Sequence, residues 1–302
     1  MGDKWGYREV IMRVESILAP TDFSETANHA VEQALELSIR YGAELHLLHV
    51  VETRHHDQAA VTAVLTDYLQ KLEEDAEQSL ALKVDVLRGN KVDVFYETTR
   101  DATPFDGIAA KAKELEPDLI VIGTHGRTGL NRLVMGSVVE KVLRHVPANL
   151  LALNKKAPLI RAAHAFERIL VPIDFSDFSK RALEMAVNLL VPSGEIHVAH
   201  VVASPIHPSF YAGGVTSLFQ LDPELPKKIH DRIAEWLEGQ PVTSIVVREG
   251  DVFAEIEDIR KQVDPQLVVM GTRGLTGLEH LLVGSVAEKM VRLSEIPVLT
   301  VH

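Results

Sequence analysis

An α/β fold in two copies, each a parallel sheet flanked by helices, is the architecture predicted by this chain of 302 residues. The first observation is a repeat. "GTHGRTGLNRLVMGSVVEK" at 123–141 returns as "GTRGLTGLEHLLVGSVAEK" at 271–289, with twelve of nineteen positions identical. The second is alternation: short β-branched and leucine runs, too brief for helices, are separated by longer stretches of helical periodicity. Length agrees, since a chain of this size divides into roughly two domains.

In chain order, the runs at 16–19, 44–51, 119–122 and 150–153 read as buried parallel strands of the first copy. Between them, "SETANHAVEQALELSIRYGA" offers Ser24 as N-cap, sets Ala27, Ala30, Val31, Ala34, Leu35 and Leu37 along one face, and stops at Gly42. "DYLQKLEEDAEQSL" is a second amphipathic helix, and "FDGIAAKAKELE" a third that ends before a strand near Asp118. Gly136-Ser137 opens a fourth helix through Val138, Val139, Val142 and Leu143. The second copy repeats these elements. "ILAPTDFSETANHAVEQAL" at 17–35 answers to "ILVPIDFSDFSKRALEMAV" at 169–187, "HLLHVVE" at 46–52 to "HVAHVVA" at 197–203, and "EPDLIVIG" at 116–123 to "DPQLVVMG" at 264–271. The offset slides only from 152 to 148, as in a duplicated domain rather than a short-period solenoid. The copies divide as 1–156 and 157–302, and the basic stretch "NKKAPLIRAAHAFER" at 154–168 reads as a solvated linker.

Composition excludes several classes. A net charge of -12 argues against a nucleic-acid scaffold, which needs clustered Lys and Arg. There is no cysteine, hence neither disulfide nor thiolate metal site. The opening "MGDKWGYREVIMRV" has no signal-peptide core, Gly6 stands where a myristoylation signal needs Ser or Thr, and no apolar run is long enough to span a bilayer. A cytoplasmic protein without membrane contact is expected.

The repeated motif joins the end of a buried strand, at Gly123 or Gly271, to a helix start at Gly136-Ser137 or Gly284-Ser285. Glycines let backbone approach a ligand, and a helix start offers N–H groups and a positive dipole end to an anion such as phosphate. The alternative is a long βα loop punctuated by turn glycines, which repetition in both halves disfavours. Asp22 in "APTDFS" and Asp174 in "VPIDFS" follow the first strand of each copy, two residues after Pro20 and Pro172. Ligand crevices of doubly wound sheets open at the carboxyl ends of strands, at a switch in strand order. If the first and fourth strands are neighbours, aspartate and glycine loop converge there. A carboxylate beside a phosphate site suits a ribose hydroxyl or a shared metal; a helix N-cap is the alternative.

The spacing Gly-x2-Gly-x9-Gly-Ser, met by Gly123, Gly126, Gly136 and Ser137 and again by Gly271, Gly274, Gly284 and Ser285, resembles the nucleotide-binding signature of the universal stress protein family. With "PTDFS" and "PIDFS", the resemblance covers nearly the whole chain. It implies a tandem member of the ATP-binding subgroup, with two doubly wound five-stranded parallel sheets of order 3-2-1-4-5. It also implies roles: Asp22 and Asp174 at the ribose, the backbone of Val50 and Val201 at adenine, and Ile122 and Met270 flanking the base. The glycine loops with Ser137 and Ser285 surround the phosphates, accompanied by Mg2+. Pro20, Val138, Pro172 and Val286 complete the implied nucleotide-binding set. The copies depart in one respect: Gly250 follows the third strand of the second, whereas Ala102 stands there in the first, behind extra sequence "LRGNKVDVFYE".

The motif is neither a Walker A loop, lacking Gly-Lys-Ser/Thr, nor a Rossmann G-x-G-x-x-G. Arg127 can reach a phosphate but is Leu275 in the second copy, and the loops share no lysine. Binding without fast turnover follows, with no catalytic residue assigned. His46 and His49, like His197 and His200, are three apart on strands and point to opposite faces, so neither pair shares an ion. "RHHD" at 54–57 reads as solvated. Three classes remain: a nucleotide-responsive regulator with an unknown protein partner, a slow ATPase or nucleotidyl-transfer enzyme, and a nucleotide-free interaction module. The apolar ends "NLLALN" and "PVLTVH" are expected to pair the two copies within one chain in the manner of a family dimer, and a homodimer of whole chains stays open.

Overall fold

The computed structural model describes residues 14–53, 62–87, 92–125, 135–164, 166–203, 217–274 and 283–302. The first copy runs β1 (Ser16–Pro20), α1 (Glu25–Tyr41), β2 (Glu44–Glu52), α2 (Thr62–Leu87), β3 (Val94–Asp101), α3 (Pro104–Leu115), β4 (Leu119–Gly123), α4 (Ser137–His145) and β5 (Leu150–Leu153). The second runs β6 (Arg168–Pro172), α5 (Asp177–Leu189), β7 (Glu195–Ala203), α6 (Leu218–Leu221), α7 (Leu225–Trp236), β8 (Ser244–Gly250), α8 (Val252–Val263), β9 (Leu267–Gly271), α9 (Ser285–Leu293) and β10 (Val298–Val301).

Each half pairs its strands in parallel in the order 3-2-1-4-5, as expected. The two sheets then merge into one of ten strands, because β5 and β10 pair antiparallel with Leu151 opposite Leu299. This covers the β5 and β10 edges that the halves would otherwise leave open, with β3 and β8 as the edges of the joint sheet. The inner strands are apolar on both faces because both faces are buried: Ile17 and Ala19 join one core and Leu18 the other, whereas the outer strands β3 and β8 are only partly covered and carry polar residues. One core lies under α1, α2, α5 and α7, the other under α3, α4, α8 and α9, and each crosses from one half into the other. Arg144 of α4 reaches Glu288 of α9 across the same seam at 2.5 Å.

Helix signals in the sequence act as expected. Ser24 caps α1 by accepting the Ala27 N–H, and Gly42 closes it in the left-handed region at φ 67. The connecting stretch after β5 departs from expectation. Rather than a solvated linker, it lies along α1. Gln33, fully buried, accepts the Ile160 N–H at 2.8 Å and donates to the Ile160 carbonyl at 3.1 Å. Ala157, Ile160 and Phe166 are buried, while Lys155 and Arg161 pair with Glu25 and Glu36 of the helix. A backbone segment pressed on a helix must satisfy its polar groups, and Gln33 does so in both directions. Among the described residues no helix is long and apolar enough to cross a membrane.

Candidate functional site

β1 neighbours β4, and β6 neighbours β9. After β1 and β6 the chain passes to helices over one core, and after β4 and β9 to helices over the other, so a crevice opens between these carboxyl ends. In the second copy Asp174 enters it from the turn after β6. Its Oδ1 accepts hydrogen bonds from the Ser176 N–H at 3.1 Å and from the Ser176 and Ser179 hydroxyls at 2.6 Å each. Its Oδ2 lies against Gly274, close enough that a Cβ there would overlap it. Aspartate and glycine loop therefore converge, and the glycine is required by the carboxylate rather than by a left-handed φ. Asp22 occupies the same turn, its Oδ1 accepting the Ser24 N–H at 3.0 Å, but Ala27 stands where the second copy has Ser179. The helix caps are Ser24 and Ser176, so the aspartates brace the caps rather than being them.

Between aspartate and cap sits a phenylalanine in the left-handed region: Phe23 at φ 63 and Phe175 at φ 65. A bulky residue there is strained and needs surroundings that hold it. His49 and His200 supply part of that hold, with ring centroids 4.7 and 5.0 Å from the phenylalanines. Each Nδ1 bonds the carbonyl two residues before, Thr21 at 2.8 Å and Ile173 at 2.9 Å. This bracket escaped the sequence reading, although Asp-Phe-Ser and the histidine recur in both copies. His46 and His197 point elsewhere, to Phe95 and to Ser244. No group of three or more His, Asp or Glu fit to hold a metal occurs among the described residues.

The glycines have separate tasks. A Cβ on Gly123 would meet Thr26 at 2.8 Å, and one on Gly271 would meet Phe178 at 2.6 Å, so these positions let α1 and α5 pack on the strand ends. Gly284 differs, because a Cβ there would make only ordinary contact, 3.6 Å from the Thr272 carbonyl. Protein packing does not demand it. Gly136 and Gly284 instead start α4 and α9, with no side chain of their own to cap the first turn, and the N–H of each bonds the Thr124 or Thr272 carbonyl. Ser137 and Ser285 are exposed at these starts, with Val138 and Val286 packed behind them. Gly126 lies outside the described residues, as do Arg127, Leu275 and 54–57.

Val50 and Val201 sit where their strands outrun β1 and β6. The β1 ladder ends with Pro20 opposite Leu48, and Thr21 N–H bonds the Leu48 carbonyl. Since backbone groups of alternate residues face the same neighbour, the Val50 N–H and C=O project past the end of β1 into the crevice. Val201 repeats this two residues after Ala199, whose carbonyl takes the Ile173 N–H. Ile122 and Met270 are buried at the ends of β4 and β9, and Pro20 and Pro172 are buried at the ends of β1 and β6. In the second copy a cleft of about 480 Å³ is lined by Ala203, Gly250 to Phe253, Ser285, Val286 and Lys289. Lys289, and Lys141 in the first copy, belong to the repeated motif but lie on the helix rather than the loop.

The rim differs between copies, but not by Ala102 standing in Gly250's place, and the end of the stretch read as extra sequence, from Val94 on, belongs to β3. Gly250 pairs with Ala203 as Asp101 pairs with Glu52, while Thr103 and Asp251 both cap the next helix. The first copy thus spends one more residue, Ala102, between strand and cap. Gly250, at φ 151, makes the same turn in the shorter span.

Fold and site together define a duplicated doubly wound α/β protein with one crevice per copy at the carboxyl ends of a shared sheet. The universal stress protein family model matches residues 13–154 and 165–302, and the chain belongs to that family. Universal stress protein MJ0577 of Methanocaldococcus jannaschii is 28% identical over 155 residues, covering 47% of this chain and 96% of its own. Universal stress protein YxiE of Bacillus subtilis is 30% identical over 147 residues, covering 45% and 99%. Such relatives match about half of this chain, as one copy would. A solved universal stress protein from Archaeoglobus fulgidus shares the whole two-copy fold, with a TM-score of 0.67 at 21% identity, covering 96% of this chain and 98% of its own.

Proposed function

We propose that each copy binds an adenine nucleotide, ATP being the intended ligand, and that the chain reports nucleotide state to a partner protein inside the cytoplasm. The observation that carries this reading is the convergence in the second copy of the Asp174 carboxylate, Gly274 and the uncapped start of α9 at one switch point. A carboxylate suits ribose hydroxyls, an outward strand edge at Val201 suits the donor and acceptor pattern of a base, and first-turn N–H groups with Ser285 suit phosphates. In the first copy Asp22, Val50 and Ser137 hold the same places, and Gly126 is assigned there by its spacing. Mg2+ would offset part of the phosphate charge, held by the nucleotide itself. We divide the copies at 156/157 for this purpose.

Among the described residues neither copy places a group to orient an attacking nucleophile, and the reading is binding with at most slow hydrolysis. Mass spectrometry of small molecules released from purified, denatured protein tests it. An adenine nucleotide is expected, and its absence together with failure to bind added ATP would refute the reading.

A further inference from the structure

We propose that Lys289, with Lys141 in the same place of the first copy, selects the ligand by the charge of its phosphate tail, favouring di- and triphosphates over monophosphates. The proposal rests on the adenine-nucleotide reading and adds which nucleotides are preferred.

Lys289 stands four residues after Ser285 on α9, so the two share a helix face. Long helical side chains lean back toward the N-terminus, which carries the ammonium over Ser285 and the uncapped turn. Both residues line the same cleft. The opposite wall carries Phe253, in the first turn of α8, and the Lys289 Nζ lies 5.8 Å from its ring centroid. Lys141 stands four residues after Ser137, and its Nζ lies 5.8 Å from the ring of Phe105, in the first turn of α3. Sequence, helix position and aromatic partner thus repeat in both copies, which a merely solvated lysine does not require.

Both lysines are exposed. The glutamates that precede them in sequence are engaged elsewhere, since Arg144 pairs with both Glu140 and Glu288. A cation over an aromatic face at an exposed site is held weakly, so the ammonium can exchange the ring for a phosphate oxygen. The helix start and Ser285 can hold a phosphate close to the backbone. A lysine one turn further along supplies three donors on a flexible stem to phosphates further out. A monophosphate, ending at the helix start, gains little from it.

The test titrates Mg-ATP, ADP, AMP and adenosine against wild type, the Lys141→Met/Lys289→Met double variant and the corresponding double Arg variant, with thermal melts as a folding control. Loss of one charge-assisted hydrogen bond per site corresponds to about a tenfold weaker Kd for ATP. The Met variant is expected to show that loss for ATP while AMP and adenosine stay within about twofold, and the Arg variant to restore ATP binding. Unchanged ATP affinity, or equal losses for ATP and AMP, would overturn the lysine assignment while leaving nucleotide binding intact. Wild type that binds none of the four would overturn the adenine-nucleotide reading and this proposal with it.

Discussion

Adding a single methyl group at Gly274 separates a site glycine from a punctuating one. The new Cβ would overlap Asp174 Oδ2, and about 1 Å of movement restores ordinary contact. The carboxylate cannot swing freely, because Oδ1 holds three hydrogen bonds from Ser176 and Ser179. Breaking one such bond or overpacking the turn costs about 1–3 kcal/mol. Gly274→Ala is therefore expected to lower the melting temperature by a few degrees and, by displacing Asp174, to weaken ATP at the second site by about 10- to 100-fold while leaving the first site unchanged. Titration calorimetry reads both sites at once. The mechanism is specific to Asp174, so Asp174→Ala should weaken binding by itself, and adding Gly274→Ala to it should cost little more. Two sites of wild-type affinity in Gly274→Ala, or fully additive losses in the double variant, would refute this reasoning.

Three further outcomes follow from other parts of the molecule. Gln33→Ala strands the Ile160 N–H and C=O in a buried place and should lower stability by about 1–3 kcal/mol in denaturant titration; a neutral result would mean that the connecting stretch is not packed on α1 in solution. Leu299→Ala opens a hole at the β5–β10 seam and should cost about 2–5 kcal/mol, whereas a loss below about 1 kcal/mol would show that the seam does not form. Burial holds the His125 imidazole below its ordinary 6.5, so folding favours the neutral ring. Its contribution is present above pH 6.5 and is lost as pH falls through the folded value, and an NMR titration placing that value above 6.5 would contradict the burial.

The inner strands and most helices were legible because both-face burial and helical periodicity act locally, and those strand bounds moved by only a residue at Pro20, Glu52 and Gly123; β3, exposed along much of its length, offers no apolar run to read, and α2 extends beyond 67–80 at both ends. The convergence of Asp174 with the glycine loop was legible through topology, as was the β5–β10 pairing through two apolar edge strands. Other features were not. Gln33 reads as one more polar position on an amphipathic helix until the connecting stretch is laid over it. Phe23 and Phe175 have no local preference for positive φ, and the histidines packed against them come from another strand. Lys289 lies outside the loop in sequence, and only its place one turn into α9, lining the same cleft as Ser285, relates it to the loop's end. The rim difference was visible as Gly250 against Ala102, but only strand register showed it to be a one-residue insertion.

The central claim is that one chain carries two adenine-nucleotide sites at the carboxyl ends of a shared sheet. Native mass spectrometry of the nucleotide-stripped protein with added ATP and Mg2+ tests it most directly, because stoichiometry is read as mass. The account predicts two ATP per chain, falling to one in Gly274→Val and to none when Gly126→Val is added, with the fold retained and with weaker occupancy when Mg2+ is chelated. Wild type that stays nucleotide-free at saturating ATP, or a double variant that still carries two, would contradict it.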